Sequence, residues 1–189
     1  RGDLGGDYYD VQLVDSGAVA ILADVTGHGI AAALGAAMIR VAFLLQREHW
    51  QRPDQVLYGV NRILLDVGSS QLVTAVCAFV DLSTNTLHLA RAGHLPAALL
   101  RADGSLEVLF PRGRVMGWLR DLNLAPLEYP FQPGDRLVLF TDGVTELRNS
   151  GGEFLGEERI LEFLEKNGNL TSDELSDSLM DFVHSWHSE

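Results

Sequence analysis

Residues 21–29 restrict the fold of this chain more than any other stretch. Strand-forming residues lead into Asp24, a turn bracketed by Gly27 and Gly29 follows, and a long apolar segment begins at Ile30. This order predicts a buried strand, a tight connection and then a helix. A carboxylate at a strand end beside glycines suits a hard cation, but Asp and Gly are also common turn residues. On this stretch alone, Asp24 is equally well interpreted as a metal ligand and as a turn cap.

Composition narrows the class of protein. The 189 residues and 47% apolar content predict one mixed α and β domain over residues 1–189, which we expect to be cut from a longer chain at both ends. A formal net charge of −12 argues against a nucleic-acid binder, which needs a cationic face. The single Cys77 excludes an internal disulfide framework and favours a reducing, cytoplasmic location. No apolar run reaches the roughly 18 residues that span a bilayer, so we expect no membrane segment.

A hairpin is predicted to bring two carboxylates together. Residues 8–14 and 18–24 are typical of strands, and a turn at residues 15–17 joins them. If Val14 pairs with Ala18, Tyr8 faces Asp24 and Asp7 lies one step away; a one-residue change of register makes Asp7 and Asp24 direct partners. In either register the carboxylates lie within about 5–8 Å of each other. Two like charges at that distance are destabilising unless a cation lies between them.

Periodicity predicts the remaining elements. A helix over residues 30–48 is apolar on nearly every side and is expected to be buried, and a second helix covers residues 53–67. Two more helices are predicted, one over residues 157–166 and one after a capping box of Thr171 and Glu174. Strands are predicted over residues 72–82, 86–92, 97–101, 105–109, 124–131 and 135–141, with those up to residue 109 forming a meander of hairpins. The pattern predicts an α+β fold with two antiparallel sheets and helices packed outside them.

A second strand end repeats the arrangement at Asp24. Residues 136–141 are an apolar strand that ends at Asp142, and Gly143 follows. An Asp-Gly pair is a common turn, but no strand of matching length comes after it. Together Asp7, Asp24 and Asp142 form an oxygen-rich set that favours Mg²⁺ or Mn²⁺ over zinc. The other candidates carry weaker signals. His28 is interpreted as an exposed turn residue, with a general acid and a phosphate contact as the alternatives. His94 is interpreted as a turn brace, His184 and His187 as solvent-facing residues, and Cys77 as a core residue.

Four motifs occur in order along the chain, at residues 5–10 (GGDYYD), 23–29 (ADVTGHG), 92–96 (AGHLP) and 140–146 (FTDGVTE). With them the chain resembles the PPM (PP2C-like) metal-dependent serine/threonine phosphatases, specifically the bacterial RsbU/SpoIIE branch. The resemblance implies a single phosphatase domain with a four-layer α-β-β-α sandwich and two Mn²⁺ or Mg²⁺ ions. It also implies that Asp24 bridges both ions, that Asp7 and the Val25 carbonyl hold one of them, and that Asp142 holds the other. Asp24 and Asp142 would then act in catalysis through a metal-bound water.

The same resemblance implies a biological setting. The reaction is hydrolysis of phosphoserine or phosphothreonine on a protein, and in this branch the substrate is a phosphorylated STAS-type anti-sigma factor antagonist. An upstream sensor or regulatory domain is expected in the full-length protein, with a homodimer as one option for its assembly. No nucleic acid and no membrane are expected as partners.

Three departures from the family pattern leave an alternative open. Family members carry an Asp-Asp-x-Thr segment after the last helix, and this chain ends at Glu189 before reaching it. Thr26 stands where the eukaryotic enzymes have a histidine. The phosphate-binding arginine of those enzymes has no clear counterpart, since Arg1 lies beside the cut end. The alternative function is therefore a catalytically degenerate regulatory binding module.

Overall fold

The computed structural model describes residues 5–188. The chain forms two compact units. The first contains the residues up to Leu95 together with Phe110–Phe131, and the second contains Pro96–Leu109 together with the residues from Gln132 onward. Arg1, the weak candidate for a phosphate contact, lies outside the described residues.

The described residues contain eight strands and five helices. The strands and four of the helices occur in the predicted order, and one short helix after the last strand was not predicted. The strands are β1 (Tyr8–Val14), β2 (Gly17–Val25), β3 (Val73–Asp81), β4 (Thr86–Ala92), β5 (Ala97–Leu100), β6 (Leu106–Leu109), β7 (Leu127–Pro130) and β8 (Arg136–Val138). The helices are α1 (Ile30–Leu45), α2 (Pro53–Asp66), α3 (Asp142–Thr145), α4 (Glu157–Lys166) and α5 (Ser172–Ser188), and a short 3₁₀ turn, Arg47–His49, follows α1. None of these helices, within residues 5–188, combines the length and the apolar character needed to cross a membrane.

The first unit is built on a five-stranded antiparallel sheet with the order β1-β2-β3-β4-β7. Helices α1 and α2 pack against it. Alternate residues of β2 are fully buried because one face of that strand meets the helices, whereas β3 is buried on both faces, as its apolar sequence predicts. The shared core contains large side chains from the sheet and the helices: Ile21, Phe79, Ile39, Phe43, Leu57 and Leu64. Each contributes about 1.5–3 kcal/mol by leaving water.

Helix α1 differs from the prediction. It ends at Leu45, and Ile30, Leu34, Val41 and Leu45 are exposed, so the prediction of a helix buried on nearly every side is wrong. The physical reason is that only one side of α1 contacts β2 and α2. That side carries small residues that allow close approach beside two large ones, namely Ala32, Gly35, Ile39, Ala42 and Phe43. Apolar composition alone does not identify which side of a helix meets the core.

The second unit has a three-stranded antiparallel sheet with the order β6-β5-β8, and α4 packs against β5. The prediction of one meander is therefore wrong after β4, which pairs with β7 and not with β5. Gly93, at φ 71°, and Pro96 end β4 before the chain continues into β5. The predicted capping box is present: Thr171 N–H and Oγ1–H both donate to the Glu174 carboxylate, at 2.9 and 2.8 Å.

An ion pair and two backbone amides connect the residues that follow β5 to those that precede β8 in the second unit. The Asp135 carboxylate accepts from the guanidinium of Arg101 and from the backbone N–H groups of Ala102 and Gln132, each at 2.9 Å. Burial raises the pKa of Asp135, but these hydrogen bonds outweigh burial and hold the pKa below its usual value. The Arg136 guanidinium donates to the carbonyls of Gly168 and Leu170, which ties β8 to the start of α5.

Candidate metal and active site

The register of the β1–β2 hairpin sets the geometry of the candidate site. Val14 pairs with Gly17 and Tyr8 with Ala23, so the alternative in which Val14 pairs with Ala18 is wrong. Continued by one residue, this register makes Asp7 and Asp24 direct neighbours across the two strands. Such a pair has its Cβ atoms about 4.5–5.5 Å apart, with both side chains on one face of the sheet. The hairpin therefore brings together two of the three predicted carboxylates.

Gly6 shapes the site through the side chain it lacks. The Val25 N–H donates to the Gly6 carbonyl at 3.3 Å, which extends the ladder beyond Tyr8. A Cβ atom at Gly6 would fall on the Val25 carbonyl oxygen. Only glycine therefore leaves room at position 6 for the Val25 carbonyl, which is one of the predicted metal ligands. The glycine pair before Asp7 is the sequence signal for this close approach.

Asp10, the second acidic residue of the first motif, has a structural role. Its carboxylate accepts from the Tyr8 hydroxyl at 2.8 Å and from the Gln12 side-chain amide at 2.7 Å. Burial and the hydrogen bond to Asp10 raise the pKa of Tyr8, which keeps the phenol protonated. Asp10 pairs with Ile21 across the hairpin, so Asp7 is the acidic residue of this motif that faces Asp24.

The structure adds one polar pair that the sequence analysis did not assign. Thr74 is the β3 partner of Asp24 in the ladder, and its hydroxyl lies 2.7 Å from Nδ1 of His94. The imidazole is buried, which agrees with the predicted role of His94 as a turn brace. Thr74 thus connects the strand position beside Asp24 to the third sequence motif. Its only signal in the sequence is a hydroxyl side chain within an otherwise apolar strand.

Arg91 fixes the turn that carries His94. Its guanidinium donates to the carbonyl of His94 at 2.5 Å and to that of Pro111 at 2.7 Å, and it stacks 3.7 Å from the ring of Phe110. Burial lowers the pKa of Arg91, although the group remains a cation at neutral pH. Gly93 approaches the backbone of Val115 so closely that a Cβ would lie 3.1 Å from it. The turn that contains Gly93 and His94 is therefore fixed by Arg91 and by its close packing against Val115.

The third predicted carboxylate, Asp142, belongs to the second unit. It is exposed and is the first residue of α3, directly after Thr141. Its carbonyl accepts from the Glu146 N–H at 2.7 Å, which closes the turn that follows β8. A strand is present before Asp142, but the prediction that it runs up to Asp142 is wrong: β8 covers only Arg136–Val138, and residues 139–141 lie between it and Asp142.

The remaining candidates lie where the sequence analysis expected them. His28, His184 and His187 are exposed, and Cys77 is fully buried. Burial raises the pKa of the Cys77 thiol, so it has no nucleophilic role. Within residues 5–188, no group of three or more His, Cys, Asp and Glu side chains forms a metal cluster.

The donor atoms at Asp7 and Asp24 nevertheless fit a hard divalent cation. Two carboxylates face each other at one end of the sheet, and the Val25 carbonyl oxygen lies next to them in sequence, against a residue without a side chain. Oxygen ligands of this kind suit Mg²⁺ and Mn²⁺, which use few protein ligands and retain water. The first unit can therefore supply three oxygen ligands to a metal ion.

The fold and the facing carboxylates at a glycine-rich strand end define the class of PPM-type phosphatase domains. The sequence profile of the family described as Stage II sporulation protein E (SpoIIE) matches residues 15–189, and the chain belongs to this family. The expected RsbU/SpoIIE branch is thereby confirmed.

Two characterised relatives are similar in sequence. Phosphoserine phosphatase RsbU of Bacillus subtilis is 31% identical over 180 residues, covering 94% of this chain and 53% of RsbU. Phosphoserine phosphatase RsbP of the same organism is 27% identical over 150 residues, covering 76% of this chain and 37% of RsbP. The chain thus spans about half or less of the length of these relatives.

Solved structures confirm the predicted α+β fold class with two antiparallel sheets and helices. The SiaA-PP2C domain of Pseudomonas aeruginosa superposes with a TM-score of 0.88 at 22% identity, covering 98% of this chain and 76% of that one. The RsbU and RsbW domains of Rv1364c from Mycobacterium tuberculosis give a TM-score of 0.77 at 25% identity, with 95% and 49% coverage. RsbX, solved in complex with magnesium, gives a TM-score of 0.71 at 16% identity, with 98% and 83% coverage. Phosphatases of the PPM class are metal-dependent.

Proposed function

We propose that this domain is a metal-dependent protein serine/threonine phosphatase. The observation that carries the proposal is the register that sets Asp7 opposite Asp24, beside a Val25 carbonyl whose surroundings exclude a side chain. The sequence relatives RsbU and RsbP, both phosphoserine phosphatases, support the same reaction for this chain.

The roles proposed for the site residues are those that the resemblance to the PPM family implies. Asp24 would bridge two ions, Asp7 and the Val25 carbonyl would hold one of them, and Asp142 would hold the other. When bound, Mn²⁺ or Mg²⁺ supplies Lewis-acid activation of water and neutralises charge on the phosphoryl group. The β1–β2 ladder keeps the carboxylates in register, and Thr74 with His94 fixes the neighbouring strand. No covalent phosphoenzyme is required, and we assign no nucleophilic side chain.

We further propose that the substrate is a serine-phosphorylated STAS-type anti-sigma factor antagonist in the cytoplasm. The relation to RsbU and the occurrence of RsbU and RsbW domains together in Rv1364c support a place in sigma-factor regulation. An upstream sensor or regulatory domain would control the activity in the full-length protein, which could form a homodimer.

The experiment measures phosphate release from a serine-phosphorylated STAS-domain protein by the full-length protein, with and without Mn²⁺. We expect Mn²⁺-dependent release that is lost in Asp24→Asn and in Asp142→Asn. Asp15→Asn is the matched control, because Asp15 is an exposed carboxylate in the β1–β2 turn. Activity that survives the Asp24→Asn, Asp142→Asn double substitution would refute the mechanism.

The alternative is a regulatory binding module of the same fold that does not hydrolyse phosphate. It is favoured by the finding that residues 5–188 contain no group of three or more metal-ligating side chains. A full-length protein that binds the phosphorylated STAS-domain protein but releases no phosphate at any Mn²⁺ concentration would support this alternative.

A further inference from the structure

We propose that Trp118 and Leu72 form a docking patch for an apolar side chain of the phosphoprotein substrate. This inference rests on the proposed function and adds the surface through which the domain recognises a protein, beyond the phosphate itself. Both residues are apolar and lie in the first unit. The name docking patch refers below to these two residues.

The exposure of Trp118 is unusual for its residue type in this chain. Trp118 is 70% exposed and Leu72 is 37% exposed. The other two tryptophans are packed: Trp50 stacks on Phe43 at 5.2 Å between ring centroids, and Trp186 is buried. A large apolar side chain held in solvent gives up the stabilisation of burial, and tryptophan is one of the residues enriched among the side chains that dominate protein interfaces.

The loop that carries Trp118 is held by a buried side chain. Asn61 of α2 is 1% exposed; its Oδ1 accepts from the Gly117 N–H at 2.9 Å and its Nδ2 donates to the Leu119 carbonyl at 2.8 Å. The backbone on both sides of Trp118 is therefore anchored by one amide. Such anchoring reduces the entropy lost when a partner binds, because the aromatic side chain is already presented on a fixed backbone.

Gln71 brings Leu72 next to the same loop. Gly117 has φ 86°, and a Cβ there would fall on the Gln71 carbonyl oxygen. On the other side, the Gln71 side-chain oxygen lies against Gly35 of α1, where a Cβ would approach to 2.8 Å. Contacts this close fix the segment before β3 between α1 and the Trp118 loop. The two residues of the docking patch thus share one rigid support.

Hydrogen bonds connect Leu72 directly to Thr26, in the turn that follows β2. The Thr26 N–H donates to the Leu72 carbonyl at 2.9 Å, and the Leu72 N–H donates to the Thr26 hydroxyl at 3.2 Å. Thr26 is two residues from Asp24. Leu72 therefore lies directly before β3, the strand that adjoins the candidate site.

Trp118 lies within reach of the same substrate. Val25 pairs with Val73, and Val73 exchanges two backbone hydrogen bonds with Met116, two residues before Trp118. Two strand spacings make about 10 Å from Val25 to Met116. In a standard protein interface each partner buries about 800 Å², which corresponds to a circular area with a radius of about 16 Å. A protein whose phosphoserine occupies the candidate site would therefore cover this part of the loop.

Charge explains why an apolar contact is needed. The chain carries a formal net charge of −12, and a phosphoserine brings nearly two more negative charges. The net charge of the chain therefore does not attract such a substrate, and short-range contacts outside the phosphate site add to its affinity. An exposed indole beside the site supplies such a contact without adding charge.

The test compares kinetics on two substrates. We would assay full-length wild type, Trp118→Ala, Leu72→Ala and Leu13→Ala on a serine-phosphorylated STAS-domain protein and on p-nitrophenyl phosphate. Leu13 is the control, since it is 85% exposed and lies at the hairpin-turn end of β1, about 20 Å along the strand from Asp7. For Trp118→Ala we expect a rise of about tenfold in KM for the protein, with kcat retained. The kcat/KM for the phosphoprotein divided by the kcat/KM for p-nitrophenyl phosphate should fall by the same factor in Trp118→Ala. Leu13→Ala should leave this ratio unchanged.

A binding measurement separates docking from folding. The tryptophan fluorescence of the wild-type protein should shift to shorter wavelength when the phosphorylated STAS-domain protein is added. Trp118→Phe should abolish this shift and keep the melting temperature of the wild type. A KM within twofold of wild type for Trp118→Ala would overturn the docking patch. Higher activity of Trp118→Ala on both substrates would also overturn it, because the patch would then hold an inhibitory segment. Wild type that hydrolyses neither substrate would instead refute the proposed function.

Discussion

The Val25 N–H donates to the carbonyl of Gly6, and this bond places Asp7 opposite Asp24. The same pair of residues brings the Val25 carbonyl into contact with the backbone of Gly6, where no side chain fits. One hydrogen-bonded pair thus fixes both the facing carboxylates and the carbonyl of the proposed metal site.

Gly6→Ala should damage this arrangement. The added Cβ would meet the Val25 carbonyl oxygen, so one strand must shift, at a cost of about 1–3 kcal/mol in the free energy of unfolding. Urea unfolding and Mn²⁺ titration measure the two consequences, lower stability and weaker metal binding. Gly5→Ala is the matched control, because a Cβ there meets nothing closer than 3.9 Å. Equal effects of the two substitutions would contradict the role of Gly6.

Thr74→Val should destabilise the first unit. The substitution keeps the shape of the side chain and removes the hydroxyl that lies 2.7 Å from the buried Nδ1 of His94. Loss of a buried hydrogen bond of this kind costs about 1–3 kcal/mol, measurable by urea unfolding. Thr86→Val serves as control, since the Thr86 hydroxyl donates to a turn carbonyl at 3.3 Å in an exposed hydrogen bond. A Thr74→Val variant as stable as Thr86→Val would show that the Thr74–His94 hydrogen bond does not stabilise the fold.

Asp135→Asn should destabilise the second unit in a pH-dependent way. The folded pKa of Asp135 lies below its unfolded value of about 3.9, so its stabilising effect is complete above that value and is lost as the pH falls through the folded pKa. At pH 7 we expect a loss of about 2–4 kcal/mol, because the side chain is only 3% exposed and pairs with Arg101. The difference between wild type and variant should narrow as the pH falls below about 4. A difference that stays constant over this range would contradict the ion pair.

Cys77 should not react with a thiol reagent in the native protein. The side chain is fully buried and its pKa is raised, so both access and thiolate are lacking. Titration with a chromogenic disulfide should give no reaction in buffer and one thiol per chain in denaturant, since the sequence has a single cysteine. Rapid reaction under native conditions would show that β3 is open to solvent.

The hairpin illustrates how far the sequence could determine the site. Alternation of apolar and polar residues predicted both strands and the closeness of Asp7 to Asp24. The register was left between two alternatives, because the residues around Asp15 and Ser16 permit either turn. The structure selects one, since Gly17 belongs to β2 and lies where a side chain would meet the Val80 carbonyl.

Other features depend on contacts between distant residues. The exposed side of α1 and the pairing of β4 with β7 follow from which surfaces meet, and local periodicity contains no such information. The same holds for Thr74, whose place beside Asp24 is set by strand pairing across about fifty residues of chain. The strand that precedes Asp142 was predictable because its apolar run is local.

Calorimetric titration of Mn²⁺ into the full-length protein tests the central claim most directly. Wild type and the Asp15→Asn control should bind the ion with the same affinity, and Asp24→Asn should lose binding, because Asp24 is assigned as the ligand shared by both ions. Thermal unfolding in the same buffer shows whether each variant is folded. Binding of Mn²⁺ by folded Asp24→Asn with the affinity of wild type would contradict the assignment of this strand end as the metal site.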